Sequence, residues 1–487
     1  MNKPIRAMSI FCMLLFAALL LNVTYLQYVD ANNLNQRADN KRVRDAEFAR
    51  KRGAIVAGGT SVAESTKTDD QYKYQRVYTQ PRKYAQLTGY YSYIYGRSAV
   101  EASQNDILSG SDPRLFVNRV VDMLGNSQPK GGSVALTVDP KAQTAAYEGL
   151  RALGANVQGA VVALEPSTGK VLAMVSSPTY DPNQLASHQL SETSKAYDRL
   201  NSDKDRPLLN RGIQEIYPPG STFKLVTAAA ALSSGQYTPN TQVKGGTRLD
   251  LPQTSTDLVN ENGMNCGGDR ITLTRALDVS CNVSFGDIGL RLGDDALRAQ
   301  AEKFGFDQTY LDDLRGQVKS HFPADPDEPQ TALSAIGQFD VAATPLQMAM
   351  VASGIANGGT VMKPYVIDEV RAPDLSVLDK TDPEAFRSNA ISSSVARDLT
   401  QMMVSVVDQG TGTTAQIPGM KVAGKTGTAQ SSPERPPYAW FVSFAPADDP
   451  KVAVAVLVED AGVERNAISG SGLAAPIAKK VMQAVVQ

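Results

Sequence analysis

The apolar pattern opens with one long run, residues 7–29, set behind Lys3 and Arg6 and broken only mildly by Asn22, Thr24 and Gln27. About 20 apolar residues cross a bilayer as a helix, so the run predicts a transmembrane anchor. A cleaved signal peptide is the rival, with Lys3 and Arg6, the Leu/Phe block and Val29-Asp30-Ala31 as its three parts. The run is long for the apolar core of a signal, which favours the anchor. Residues 32–52 are polar and basic, with apolar positions too sparse for a core. Residues 53–130, rich in Tyr, Gln, Ser and Gly, read as a small α+β or irregular module whose tyrosines pack locally. Gly131-Gly132 reads as a hinge.

Beyond that point the periods sharpen. Residues 133–138 alternate as a strand, and 140–153 carry Ala-rich helical spacing. Residues 159–164 and 170–175 flank the turn Glu165-Pro166-Ser167-Thr168-Gly169, the pattern of a hairpin. Residues 439–444 and 452–458 are strands around Asp448-Asp449-Pro450, and 472–486 close the chain as a helix. Strands at both ends with a long helical middle predict one large α+β domain whose terminal strands share a single antiparallel sheet.

Composition adds bounds. At 487 residues the chain exceeds one ordinary core. Its 48 basic and 50 acidic residues leave a formal charge of −2, no excess that would point to nucleic acid. Arg37, Lys41, Arg42 and Arg44 beyond the apolar run outnumber the two basic residues before it, so flanking charge does not fix its orientation. The chemistry of the motifs places nearly all of the chain outside the cytoplasm, with residues 1–6 as a cytoplasmic tail. Cys12 lies in the membrane run as apolar filler. Cys266 and Cys281 either form a disulfide, if their compartment is oxidising, or remain two thiols. His-x-x-x-His and Cys-x-x-Cys spacings do not occur, and neither a metal nor a cofactor is expected.

Three short strings carry the chemistry. Ser221-Thr222-Phe223-Lys224 follows Pro218-Pro219-Gly220 and opens an apolar run. As the first turn of a helix it sets Ser221 and Lys224 on one face. The helix dipole favours negative charge on the serine oxygen, and burial would desolvate Lys224 and lower its pKa toward that of a general base. Alone, this spacing is equally an N-cap serine and a solvated lysine. Ser280-Cys281-Asn282 offers a hydroxyl to relay a proton and an amide to hold a substrate carbonyl and orient Lys224; alone it is a polar loop. In Lys425-Thr426-Gly427-Thr428, Gly427 leaves room for a substrate backbone along a strand edge. Lys425, Thr426 and Thr428 can then bind a terminal carboxylate. Together, in this order, the strings equip a chain for acyl transfer through a serine ester without histidine, and only His188 and His321 occur.

In these strings the chain resembles the serine penicillin-recognising enzymes, and among them class B penicillin-binding proteins of the compact, PbpA-like actinobacterial type. Further matches are Arg52-Gly53-Ala54-Ile55, Leu87-Thr88-Gly89-Tyr90, Gly96-Arg97-Ser98 with Glu101, Gly159-Ala160-Val161-Val162, and Met174-Val175-Ser176-Ser177-Pro178. Tyr217-Pro218-Pro219-Gly220-Ser221, Ile336-Gly337-Gln338, Thr344-Pro345-Leu346-Gln347-Met348-Ala349 and Trp440-Phe441 extend the set. Phe339-Asp340 departs from the Gly that follows Gly-Gln in many relatives, and the N-terminal module is shorter than in most.

The resemblance implies a transpeptidase domain over 133–487, an antiparallel sheet flanked by helices with a helical subdomain. It implies a pedestal or dimerisation-like module over 30–132 behind the anchor at 7–29. The implied activity is that of a peptidoglycan D,D-transpeptidase, single-pass in the plasma membrane, catalytic outside it, inhibited by β-lactams and serving wall synthesis and cell division. Ser221 would attack the carbonyl of the penultimate D-Ala of a donor stem peptide while Lys224 takes its proton. Backbone N–H groups of Ser221 and Thr428 would form the oxyanion hole. Ser280 would pass a proton to the leaving D-Ala, whose carboxylate Lys425, Thr426 and Thr428 would hold, before the acyl group moves to an amine of a neighbouring stem. The module after the anchor is too small for a glycosyltransferase, so a separate glycan polymerase and divisome or elongation proteins are the implied partners.

Three rivals remain. A D,D-carboxypeptidase needs only water in place of the amine. A class A β-lactamase would need a glutamate in an E-x-x-L-N run, and none lies between Asn282 and Lys425. A penicillin sensor or catalytically silent scaffold is opposed by the complete strings and the short expected tail.

Overall fold

The computed structural model describes residues 3–35, 41–116, 120, 124–125, 130–430 and 435–487. Arg37, counted above for orientation, lies outside them, as do parts of the Tyr-rich segment. The N-terminal run forms an α-helix over Lys3–Thr24 that continues as a wider π turn through Val29. This helix of 27 residues, whose most apolar 18-residue stretch has mean hydropathy 2.2 and buries nothing against the rest of the chain, is long and apolar enough to cross a membrane.

Two sheets organise the chain beyond this helix. The first runs in the order Val377–Lys380, Ile367–Arg371, Ser133–Leu136, Ile55–Ala57, Thr60–Lys67, Tyr74–Tyr78. Ser133–Leu136 is the strand expected from its alternation, but it is not part of the sheet shared by the other predicted strands. It pairs parallel with Ile55–Ala57 and antiparallel with Ile367–Arg371. A period of two says that one face is buried and nothing about which partners flank it.

The Gly131-Gly132 pair is no hinge. Gly131 N–H donates to Lys51 O and Gly132 N–H to Ile107 O, and a Cβ on Gly131 would lie 1.8 Å from Leu108 O. These glycines permit close backbone approach rather than bending. The tyrosines pack locally as expected: Tyr72, Tyr78, Tyr84 and Tyr91 are buried, and Phe48 stacks on Tyr91 with centroids 4.3 Å apart. Beside them Glu101, fully buried, accepts from Arg52 Nε and Arg76 Nε, both at 2.6 Å, and from the Tyr78 hydroxyl at 3.1 Å.

The second sheet is antiparallel throughout, in the order Ala423–Ala429, Tyr438–Ala445, Val452–Asp460, Gln158–Leu164, Val171–Ser177. The hairpin and the two late strands thus join in one sheet. Helices cover both of its faces, which is why the strands are apolar nearly end to end rather than alternating. Val161, Ala163, Phe441 and Val456 face helices Pro140–Arg151 and Ala475–Val486. Val162, Trp440, Val442 and Ala455 face the opposite core, which holds helices Lys224–Ser233, Pro345–Ala356 and Ser393–Asp408. Thr137 stitches the two sheets, its hydroxyl 2.8 Å from Val171 O and 3.2 Å from Tyr365 O. Ala423–Ala429 is left as an edge strand, with its free side toward the turn that carries Ser221.

Candidate active site

Pro218-Pro219 brings the chain to Gly220, whose φ of +52° suits only glycine comfortably, and a Cβ there would lie 2.9 Å from Ala429 Cβ. The turn therefore presses directly on the edge strand. Gly220–Phe223 is a 3-10 turn, and the α-helix begins at Lys224. The first string is thus tighter than the α-helical turn its spacing suggested. Three bonds pin it: Gly220 N–H to Gly337 O at 2.9 Å, Thr222 Oγ1 to Pro219 O at 2.7 Å, and Trp440 Nε1 to Pro218 O at 2.9 Å.

Ser221 lines a cleft of ≈ 1150 Å³ together with Ser280, Asn282 and Thr428. Behind it two lysines are fully buried. Lys224 Nζ lies 2.6 Å from Ser280 O, 2.7 Å from Asn282 Oδ1 and 3.2 Å from Ser280 Oγ. Lys425 Nζ donates to Ser280 Oγ at 2.9 Å and to Thr426 O at 3.0 Å. The Ser280 hydroxyl therefore sits between two amines. Among the described residues no hydrogen bond joins Ser221 to Lys224. A neutral amine has two N–H donors and one lone pair; the two short bonds take both donors and leave the lone pair for a hydroxyl proton.

Burial explains the charge state. It pushes Lys224 well below its ordinary pKa, the neighbouring charge of Lys425 pushes the same way, and Glu261 opposes. Burial also pushes Lys425 down, to about 7, against Glu261 and Asp278. The cavity thus holds one amine suited to accept a proton and another poised between charged and neutral near pH 7.

The loop that presents Ser280 is held under constraint. Ser280 has a left-handed φ of +59°, and the next residue is cross-linked: a disulfide joins Cys266 to Cys281, with Cα atoms 5.8 Å apart. Asn282 Nδ2 donates to Val259 O at 3.0 Å, which turns Oδ1 toward Lys224.

Gly427 has a different reason from the one expected. A Cβ there would meet Thr222 Cγ2 at 2.9 Å, Pro219 O at 3.1 Å and Trp440 Cβ at 3.1 Å. The glycine admits the Ser221 turn rather than a substrate backbone. Thr426 is tied by its hydroxyl to Thr411 Oγ1 at 2.6 Å, and Thr428 faces the cleft.

Several contributors escaped sequence reasoning. Residues 257–263 also line the cleft. Asn260 accepts from Val283 N–H at 3.1 Å and donates to Gly246 O and Met264 O, both at 2.8 Å, steadying that loop against the helix behind Asn282. Asp257–Val259 is a strand of only three residues and Glu261–Gly263 a single 3-10 turn, both too short to show a period. Thr411 stands between two glycines, Gly410 and Gly412, and its partner lies across the fold.

Both parts of the chain beyond the N-terminal helix resemble known proteins. The penicillin-binding protein transpeptidase domain matches residues 159–483. The chain belongs to that family. The penicillin-binding protein A dimerisation domain matches residues 52–134, the part that builds most of the first sheet. Two curated relatives, each a peptidoglycan D,D-transpeptidase PbpA, from Mycolicibacterium smegmatis and Mycobacterium tuberculosis, are 43% identical over 100% of this chain and 99% of theirs. The fold is similar to that of penicillin-binding protein A from M. tuberculosis in its ceftriaxone acyl-enzyme complex, with TM-score 0.86 and 43% identity over 91% of this chain and 100% of that one. A D,D-transpeptidase domain from Eggerthella lenta gives TM-score 0.76 and 31% identity over 90% and 98%.

Proposed function

We propose that the chain is a peptidoglycan D,D-transpeptidase that works through an ester on Ser221, with β-lactams trapping the same ester. The observation that carries this reading is the Ser280 hydroxyl held between Lys224 and Lys425, beside Ser221 in one cleft.

Neutral Lys224 takes the Ser221 hydroxyl proton as the oxygen bonds to the carbonyl carbon of the penultimate D-Ala. The oxyanion is received by the backbone N–H groups of Ser221 and Thr428. The C–N bond breaks as the proton passes from Lys224 through Ser280 to the departing D-Ala amine. Lys425, Thr426 and Thr428 hold the D-Ala carboxylate, with Asn282 binding a donor amide and steadying Lys224. An amine of a second stem peptide then attacks the ester, its proton returns to Ser221, and a peptide cross-link results.

On this reading the chain divides into a cytoplasmic tail, 1–6, an anchor, 7–29, a pedestal, 30–132, and the transpeptidase domain, 133–487, with Ser133–Leu136 as their seam. The catalytic part stands outside the plasma membrane, and glycan polymerisation falls to a partner protein of the wall-synthesis machinery.

Intact-mass measurement after benzylpenicillin tests the reading. A stable adduct is expected on the wild type and not on Ser221→Ala. An adduct on both, or rapid release from the wild type, overturns it.

A further inference from the structure

Phe339 combines three features that packing alone does not explain. Its φ is +60°, a left-handed backbone that bulky residues adopt only under constraint. Its side chain is 47% exposed, so burial inside the chain does not offset that strain. It also lines the cleft of Ser221, beside Leu333 and Ile336.

The turn that displays the ring is firmly held. Gly337 N–H donates to Ser334 O at 2.9 Å and Gln338 N–H to Leu333 O at 3.0 Å. Gly337 O accepts from Gly220 N–H at 2.9 Å, next to the nucleophile. On the other side Asp340 pairs with His321 at 3.3 Å. The ring is therefore presented from a rigid support that is bonded directly to the Ser221 turn. Strain that persists at a cleft without a packing reason points to a contact made with a ligand, and an exposed aromatic face suits an apolar group.

We propose that Phe339 is a specificity-determining residue whose ring receives the apolar, aryl or alkyl, side chain on the acyl side of the donor, the part that stays on Ser221. The proposal rests on the Ser221 acyl-enzyme reading above and names which part of the ligand the cleft selects.

Two probes of the same bicyclic lactam separate the possibilities: benzylpenicillin, with its phenylacetyl side chain, and 6-aminopenicillanic acid, which has none. Second-order acylation rates are measured on the full chain in detergent for wild type, Phe339→Gly and Phe339→Ala. The ratio of the benzylpenicillin rate to the 6-aminopenicillanic acid rate is expected to fall about fivefold in both variants, the scale of one aromatic contact. Phe339→Gly should unfold at a higher temperature than Phe339→Ala, because only glycine relaxes the backbone. An unchanged ratio overturns the proposal, and so does an equal fall in both rates, which would make Phe339 a support for the Ser221 turn. A wild type acylated by neither probe would instead sink the Ser221 reading, and this proposal with it.

Discussion

Lys425→Met separates what the buried cation does for function from what it does to stability. The pKa of Lys425 falls from an ordinary 10.5 to about 7 because the amine is buried. At about 1.4 kcal/mol per pH unit, that gap is roughly 5 kcal/mol of native-state penalty at neutral pH. Methionine has similar volume and needs no solvation. The replacement loses the hydrogen bonds to Ser280 Oγ and Thr426 O, each worth about 1 kcal/mol. The variant should therefore be more stable by about 3 kcal/mol, a rise in Tm of roughly 5 °C for a domain of this size. The sign with pH follows from proton binding. Between about 7 and 10.5 the unfolded lysine keeps its proton and the folded one does not, so wild-type stability climbs across that window. The variant has no such climb, and its advantage is largest at and below pH 7 and fades toward pH 10. Thermal unfolding of the full chain in detergent near pH 6 and near pH 9 measures both. The same variant should acylate with benzylpenicillin roughly 10- to 100-fold more slowly, since the ligand carboxylate loses a charge-assisted bond. A variant less stable than wild type near pH 6, or a difference that does not change with pH, would refute the reasoning.

Gly427→Ala should slow acylation at least tenfold and lower stability by about 1–3 kcal/mol, because the new methyl meets Thr222 and Pro219 on the Ser221 turn; unchanged acylation kinetics would show that the turn yields freely. Cys281→Ser opens a cross-link of sequence separation 15, worth about 3 kcal/mol, and frees the strained Ser280. Its thermal unfolding should match that of reduced wild type, with acylation slowed in both. Glu101→Ala strands Arg52 and Arg76 in a dry site and should lower stability by about 3–5 kcal/mol in chemical denaturation. Burial alone would raise the Glu101 pKa, but Arg76 and then Arg52 hold it below 4.5. Its contribution is therefore present above that value and lost as pH falls through the lower folded pKa, so wild type should lose stability in acid faster than the variant.

How much of this was legible depended on whether the determining contact was local. Ser221 and Lys224 lie close in the chain, and Lys425 to Thr428 lie along one strand, so spacing exposed them. Strand type at 133–136 was legible for the same reason, but its placement depends on Ile367–Arg371, more than two hundred residues later, whose pattern is not distinctive alone. Gly131, Gly132 and Gly427 were recognised as special, yet the reason for each is a backbone or side chain distant in sequence. The 3-10 turn at Gly220–Phe223 replaced the expected α turn because Gly220 must take a positive φ against Ala429. The left-handed backbone of Phe339 and the short strand and turn of residues 257–263 have no periodic signature.

The placement of Ser280 also couples the two lysines in a way that neither string suggests. Each amine reaches the same hydroxyl, from opposite strings, in a cavity that excludes water from both. A charge on Lys425 disfavours a charge on Lys224. With Lys425 poised near 7, its charge is only half present in the free protein at that pH. A carboxylate arriving beside Lys425 favours its protonated form. The full positive charge it brings pushes Lys224 further toward the neutral amine that can take a proton from Ser221. On the proposed reading, binding of the terminal carboxylate therefore reinforces the neutral state that burial already gives Lys224. A donor without that carboxylate loses its contact with Lys425 while Lys224 stays neutral through burial, so its deficit lies in holding and orienting the donor rather than in the base.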